Sequence, residues 1–593
     1  MSKGKTKKKE KEVLSMHEAF DEIAENTGVK RVKKDTKSHS IRDFFWNYPD
    51  NISKFIKLTT PLSTIILFSL IGLGLFTFLR SSILAQRITP KGNNYYVEGR
   101  VGAISTFNPL FSNQNDIDKA IQELVFEKFI YIDSKENILP GIATQWSVSD
   151  DGKIYTFDIS LDHIWSDGEV LTIDDVLFTF ETAIALSVDQ GYDTVASGLV
   201  DVDIEVVDKD TIKFTLPQTN AIFPELVSIY IVPEHILENI SLRNMPFDIF
   251  SRNPIGSGPY KIYRSEPNIV YLQSSEYFKY ESQISNLVFR VYSDISSLES
   301  AFRNGLLDAV VVSDNDSASF VNEYSSYNSN RLDLPYRERL LFFNLRKEKF
   351  QSESLRKGIN YLINKEKLLE ESGISGDILH GPIYEGSWAY SSSVDYPKYN
   401  QEKALKVLKD AGYTKNESNG YFETEDGKLL TFTISYLNNE NNQRLLDTLS
   451  SLLADEGIIV NLEPLTYSQL TQEILATRNF EVLMYEIELT VDPDQYNLWH
   501  SLQKEYPNLN LSGYEYSRVD ILLEEGRRNI DRKERKEDYG LFQKYLIQEM
   551  PVVFLYRPSY LYVVRDNISG IDIENIVRLE DVYRNIYEWE IQN

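Results

Sequence analysis

The sequence predicts an α/β chain in two differently built halves, preceded by one transmembrane helix. Three observations predict it. A run of 22 residues without a charge occupies 58–79. After it, the first half alternates apolar and polar residues in short stretches punctuated by Asp-Gly, the pattern of half-buried antiparallel strands. The second half sets an apolar helical stripe between two strand-like segments, the pattern of a βαβ unit.

Composition bounds the rest. The chain has 593 residues, more than one core can serve at about 100–200 residues per domain. Hydrophobic residues make up 42% and charged residues 25%, which excludes a wholly disordered chain and a multi-span membrane protein. Cysteine is absent, which excludes a disulfide framework, a thiolate zinc site, a cysteine nucleophile and a lipidated N-terminal cysteine. The net charge of −27 argues against binding of nucleic acid. Histidines at 17, 39, 163, 235, 380 and 500 are scattered, so neither a metal site nor a cofactor is expected.

The charge is uneven. The first 60 residues carry 14 Lys and Arg against 9 Asp and Glu. The uncharged run that follows spans roughly 30 Å as a helix, the thickness of a bilayer core. It exceeds the apolar core of a cleaved signal peptide, and its leader is too long for one. It is expected to be an uncleaved anchor, with Lys54 and Lys57 before it and Arg80 after it. The basic excess places residues 1–57 in the cytoplasm and the bulk of the chain outside the cell membrane.

Within the outside part, Trp146 to Val148 and Lys153 to Asp158 flank Asp151-Gly152 and predict a hairpin. A second Asp-Gly, Asp167-Gly168, follows Trp165. Thr172 and Asp175 have the spacing of a capping box opening a helix through about Ala185. Val202, Ile204 and Val206, then Ile212, Phe214 and Leu216, predict a second hairpin with one wet face. In the second half a helix is expected from Gln401 to Ala411, capped by Asn400 and stopped at Gly412. Leu430 to Tyr436 reads as a strand. Leu445, Leu446, Leu449, Leu452 and Leu453 form a helical stripe that Gly457 ends. Strands at Ile458 to Leu462 and Glu481 to Tyr485 follow. Gly256-Ser-Gly258 reads as a turn, since it lacks the third glycine of a dinucleotide loop and precedes Pro259. No catalytic motif is present, and the protein is expected not to be an enzyme.

The order of short elements resembles one family. Asn108-Pro-Leu-Phe111, Leu139-Pro-Gly through Trp146-Ser-Val-Ser149, Asp151-Gly-Lys-Ile-Tyr-Thr-Phe-Asp158, Trp165-Ser-Asp-Gly168 and Ile255-Gly-Ser-Gly-Pro-Tyr-Lys-Ile262 are similar to extracellular solute-binding proteins of the peptide/nickel type, the oligopeptide- and dipeptide-binding receptors of ABC importers. Leu340-Leu-Phe-Phe-Asn344, Gly381-Pro-Ile383 and Val491-Asp-Pro-Asp-Gln-Tyr496 continue it in order, over about 96–570.

The resemblance implies a two-lobed periplasmic-binding-protein-like clamp (type II) with an extra β-rich subdomain. Lobe I would take 95–140, 250–345 and 551–593, the β-rich subdomain 141–249 and the α/β lobe 346–550, behind a linker at 80–94. The chain would cross between lobes near Leu340 to Leu345 and near Met550 to Tyr556. The implied ligand is an oligopeptide or similar small solute, and the implied partners are the permease and ATPase subunits of an ABC transporter, served by a monomer. A surface binding or signalling module without a permease is the alternative. Nickel is disfavoured by the scattered histidines, although relatives can hold it through a chelator.

By matching position, Phe107, Asn108, Asn113, Gln114 and Asn115 are expected to meet ligand backbone, and Trp388 and Tyr390 to lie in a loop facing the cleft. Trp388 either stacks on ligand or packs in the core. In peptide-binding relatives a loop resembling G-W-x-A-D-Y-x-D-P supplies a carboxylate to the ligand's amine. Here the matching stretch is Tyr485-Glu-Ile-Glu-Leu-Thr-Val-Asp-Pro493, with Glu486 at the Trp position and Leu489 at the Asp position. Tyr485, Glu486, Glu488 and Asp492 are therefore the candidate contacts. Glu488 is either the amine contact or a solvated or interlobe charge. Glu486 and Glu488 share one strand face and must point together.

Overall fold

The computed structural model describes residues 95–111, 115–190, 194–312, 324–574 and 576–592. The expected tail (1–57), membrane span (58–79) and linker (80–94) lie outside the described residues, as do Asn113 and Gln114. Among the described residues no helix is long and apolar enough to cross a membrane, and no group of three or more His, Asp or Glu is placed to hold a metal ion.

The first strand, β1 (Tyr95–Val101), is flanked by parallel neighbours on both sides and is buried almost throughout. A buried parallel strand reads as a continuous apolar run rather than as an alternation. A loop through 102–111 leads to α1 (Asp116–Val125), whose N-cap is Asn115. The buried Asp118 carboxylate accepts the N–H groups of Ser105 at 3.0 Å and Thr106 at 2.9 Å, which holds the loop against the helix.

The first Asp-Gly forms its hairpin, β2 (Ala143–Val148) paired with β3 (Ile154–Ile159). Gly152 supplies the φ of 67° that the turn requires. Helix α2 (Ile173–Gln190) starts where Thr172 and Asp175 predict and runs beyond Ala185, because Leu186 carries the apolar face one turn further into the core. The Asp175 carboxylate accepts the Thr172 N–H at 2.8 Å, the Trp165 indole N–H at 3.3 Å and the Glu234 N–H at 2.8 Å. The second hairpin is β4 (Asp203–Val206) with β5 (Thr211–Thr215), and the small sheet runs β2–β3–β5–β4. Phe214 on β5 meets Phe129, Phe157, Phe180 and Phe223 edge-on in its core.

β6 (Tyr260–Glu266), β7 (Ile269–Ser274) and β8 (Asn286–Tyr292) form a meander, and β8 lies parallel to β1. Gly256-Ser-Gly258 does more than turn the chain. A Cβ at Gly256 would overlap the Val125 carbonyl oxygen, and one at Gly258 would meet the same backbone, so both glycines serve a close approach to the end of α1. β9 (Ala309–Val312) and β10 (Tyr327–Asp333) complete this half.

The second half opens with β11 (Arg337–Phe343), followed by α3 (Glu353–Leu362) and α4 (Gln401–Asp410). Asn400 caps α4, and Gly412 follows it at a φ of 86°. β12 (Thr431–Leu437), α5 (Glu440–Glu456) and β13 (Ile459–Leu465) are the expected βαβ unit with its two strands parallel. All five stripe leucines are buried, and Gly457 ends α5 at a φ of 101°. β14 (Val482–Glu488) extends three residues beyond the expected strand, because Ile487 continues its buried face. Helices α6 (Ser517–Arg528) and α7 (Arg532–Glu549) precede the 14-residue β15 (Val552–Arg565).

β15 joins two lobes. Its first residues pair with β11, and its last pair with β9 and β10, so the long sheet runs β13–β12–β14–β11–β15–β9–β1–β8–β7–β6. One core gathers the first half and the C-terminal segment. Two further cores cover opposite faces of the second half's sheet: Leu341 and Phe343 of β11 enter one, Leu340 and Phe342 the other. The chain therefore passes between lobes at about 334–337 and 557–559, and residues 340–343 and 552–556 pack wholly inside the second lobe.

Candidate functional site

The register of β11 against β14 sets Arg337 opposite Glu488 and Arg339 opposite Glu486, all on one face. Arg339 donates to Glu486. Arg337 reaches across to α1 and holds Asp116 with two bonds of 2.9 and 2.7 Å. Glu488 receives Lys119 of α1, Arg578 Nε at 3.2 Å and Arg337 at 3.5 Å. Burial alone would raise the Glu488 carboxyl, but Lys119, Arg337 and Arg578 hold it down to about 2. Asp116 is likewise held low by Arg337 against its burial.

Beyond β14 the loop at 489–495 crosses to the first lobe. Of the described residues between Arg337 and Tyr556, Val491 alone joins the first core. Glu225 accepts the Val491 N–H at 3.2 Å and the Asp492 N–H at 2.6 Å. Burial pushes Glu225 up to about 7, against the pull of Arg578. Asp492 is bound by Arg535 at 2.6 and 2.8 Å, and Asp494 by Arg527 at 2.7 Å. At the far rim Glu136, strained at a φ of 64°, accepts the Trp388 indole N–H and Arg532 Nη2 at 2.8 Å. The Ala221 N–H donates to the Arg527 carbonyl at 2.7 Å. The contacts of Glu225, Glu136 and Ala221 join the two lobes, while Arg535 and Arg527 brace the 489–495 loop within the second, so the structure is a closed clamp.

A cavity of about 150 Å³ lies against this network. Pro109 and Phe111 of the first loop, Lys119 and Gln122 of α1, Glu225 and Arg578 form part of its wall. The whole wall comes from the first lobe, and Lys119, Glu225 and Arg578 tie it to residues 488–492 of the second. Two of the walls bear carboxylates and three bear cations, so the cavity is polar and water-accessible in character, suited to a solute with hydrogen-bonding groups. Among the described residues no metal-ligating cluster lies there.

None of the sequence-predicted residues that the structure describes lines this cavity. Phe107 is fully buried in the first core. Asn108 is also fully buried; its Oδ1 accepts the Leu110 N–H at 3.1 Å and its Nδ2 has no partner. Asn115 caps α1 and donates to the Ala103 carbonyl, a role in shaping the loop. Glu486 and Glu488 do point together, towards arginines of the neighbouring strand. Trp388 serves the interlobe clasp, packed between Arg535 and Tyr539. Tyr390 stacks on Tyr396 at 5.6 Å, and Tyr485 packs beside the core of the second lobe. Asp492 is held by Arg535.

Sequence reasoning missed Lys119, Gln122, Lys128, Glu225, Arg578 and Glu580. Arg578 and Glu580 lie some 450 residues from α1 in the chain, and no local pattern marks them. Glu225 follows Phe223-Pro224 in a four-residue helix, a signal of local structure but not of its partner. Lys119 and Gln122 sit on the helix that Asn115 caps, four residues along from Asn115 and Asp118 respectively, and the helical spacing alone would have grouped them.

Comparison with known proteins agrees with this geometry. Residues 137–508 match the family described as bacterial extracellular solute-binding proteins, family 5 Middle. The oligopeptide-binding protein AppA of Bacillus subtilis is 26% identical over 498 residues, covering 81% of this chain and 89% of that protein. The dipeptide-binding protein of Escherichia coli is 23% identical, covering 79% of this chain and 90% of that protein. The solved structure of NikZ from Campylobacter jejuni with Ni(L-His) superposes with a TM-score of 0.73 at 25% identity, covering 84% of this chain and all of that one. AppA of Bacillus subtilis with a nonapeptide gives 0.73 at 23%, covering 84% and 99%. The chain thus belongs to the family 5 bacterial extracellular solute-binding proteins.

Proposed function

We propose that the protein is a membrane-anchored extracytoplasmic receptor that captures oligopeptide-like solutes between two hinged lobes and delivers them to the permease and ATPase of an ABC importer. The observation that carries this reading is α1, which both walls the cavity and holds the second lobe through Asp116–Arg337 and Lys119–Glu488. One rigid helix thereby couples occupancy of the cavity to closure. The names of its relatives, an oligopeptide- and a dipeptide-binding protein, support a peptide-like solute.

In this reading the uncharged run at 58–79 is the anchor that keeps the receptor beside its permease. The loop carrying Phe107 and Asn108 meets the ligand backbone through Pro109 and Phe111. Glu486, Glu488 and Asp492 are each bound by an arginine or lysine, Glu488 across the lobes and the other two within the second lobe, so the ligand's amine is not read there. The protein binds and releases its solute unchanged. Native mass spectrometry of the full chain, extracted in detergent from the cells that make it, tests this. A co-purified ladder of peptides is expected; a sugar or a metal chelate in their place overturns it.

A further inference from the structure

Two residues in the wall of the cavity beside α1 carry buried polar atoms of opposite kind that have no hydrogen-bond partner. Gln122 and Glu580 are each 4% exposed and both line it. Gln122 Nε2, a donor, and Glu580 Oε2, an acceptor, have no hydrogen-bond partner. Groups so buried are ordinarily bonded, and leaving them unmade is costly. Both stand on well-fixed backbone: Gln122 on the middle of α1, Glu580 in the short helix Leu579–Tyr583, whose neighbour Asp581 is tied to the Val577 and Arg578 N–H groups at 2.8 and 2.9 Å.

The other charged groups of the wall are committed elsewhere, Lys119 and Arg578 to Glu488 and Glu225 to two backbone amides. Lys128 is the exception. Its ammonium has Glu123 at 3.7 Å and lies over the rings of Tyr230 at 4.9 Å and Tyr131 at 5.6 Å, with no hydrogen bond to either. The cavity therefore offers two donors and one acceptor to whatever enters. A carboxylate would face Glu580 as a like charge. An ammonium would face Lys128 as a like charge and leave Gln122 unmade. A carboxamide carries both an acceptor and a donor and satisfies all three. The space of about 150 Å³ is some tenfold more than the 10–15 Å³ that a single water needs.

We propose that this cavity receives a side-chain carboxamide of the captured solute, as on Asn or Gln, with its carbonyl accepting from Gln122 Nε2 and Lys128 Nζ and its N–H donating to Glu580 Oε2. This rests on the receptor reading above and sharpens it to a preference at one residue of a peptide.

The test uses the full chain in detergent micelles and four sets of alanine pentapeptides, in which each position in turn carries Gln, Met, Glu or Lys, competed against one another and read by native mass spectrometry. The Gln set is expected to win over the Met, Glu and Lys sets by about tenfold, the worth of one or two net hydrogen bonds. In Gln122→Met and Glu580→Leu the Gln-to-Met contrast should fall below about twofold, because each removes one half of the complement. Gln122→Glu, which keeps size and shape, should instead move the preference towards the Lys set. Equal binding of all four sets by the native chain overturns the carboxamide and leaves the receptor intact. Binding of none, with a sugar or chelate co-purified, overturns the receptor reading itself.

Discussion

Glu225 joins the lobes and is also penalised for doing so, which makes closure depend on pH. Its carboxylate accepts the Val491 and Asp492 N–H groups from the opposite lobe. Burial nevertheless outweighs those bonds and the pull of Arg578, and lifts the group from 4.5 to about 7. With the lobes apart, Glu225 faces water and keeps an ordinary carboxylate value. Closing then takes up a proton between those two values. For an acid raised on closing, the favourable contribution is whole below the lower value and is lost as pH rises through the higher one. A shift of that size corresponds to at most about 3 kcal/mol, and to less where water still reaches the group. Of the charged groups facing Glu225, Arg578 is a guanidinium and stays charged through this window, while Asp492 is paired with Arg535 but itself raised by burial. The assay is single-pair fluorescence transfer between dyes on α2 and α5, with the co-purified ligand present, from pH 4 to 9. The closed fraction should fall between about pH 4.5 and 7 and level off above. Glu225→Gln, which mimics the protonated side chain, should flatten that slope and hold the closed fraction near its acid value. Glu225→Ala should lower closure at every pH, because two buried amides lose their acceptor. A closed fraction that rises with pH in the native chain, or an unchanged slope in Glu225→Gln, refutes the argument.

Other perturbations follow from the same contacts. Glu488→Ala leaves Lys119, Arg337 and Arg578 facing one another without their shared anion, and should cost about 3–5 kcal/mol in urea unfolding. Because Glu488 is held down to about 2, its contribution should persist above its unfolded value near 4.3 and vanish as pH falls towards 2; a cost of Glu488→Ala undiminished at pH 2 would contradict this. Gly256→Ala drives a Cβ into the Val125 carbonyl oxygen and should lower stability by about 3 kcal/mol or more, read as a fall in Tm by calorimetry. Glu338 is 1% exposed, has no partner for Oε1, and is pushed by burial up to about 8. Glu338→Leu, which extends the apolar row of Leu340 and Phe342, should raise Tm, and more at pH 9 than at pH 5. Glu136→Gln weakens the clasp on Trp388 and Arg532 and should speed ligand release about threefold to tenfold in stopped-flow exchange.

The elements that local physics specifies were legible. Gly152 and Gly457 stand where a positive φ is needed, and the Leu445 to Leu453 stripe faces a core because its spacing admits no other face. The limits of elements were less so. α2 outruns Ala185 and β14 outruns Tyr485 because tertiary burial of Leu186 and Ile487 extends them. The site was harder still. Glu488 was identifiable as a charge of consequence, yet whether it meets a ligand or an interlobe cation depends on Lys119 and Arg578, far away in the chain. Asn108 marks the right loop, while Pro109 and Phe111 in it form the wall.

Residue order by itself determined the α/β character, the hairpins, the βαβ unit and membership of a receptor family, because each rests on periodicity, turn chemistry or an ordered series of short motifs within a few dozen residues. Tertiary structure alone decided which charges neutralise one another across the cleft, that Gln122 and Glu580 share one cavity, and that β15 serves both lobes. Those outcomes depend on distances between side chains brought together from opposite ends of the chain, and Coulombic and hydrogen-bond energies follow separation in space, which no separation in sequence encodes.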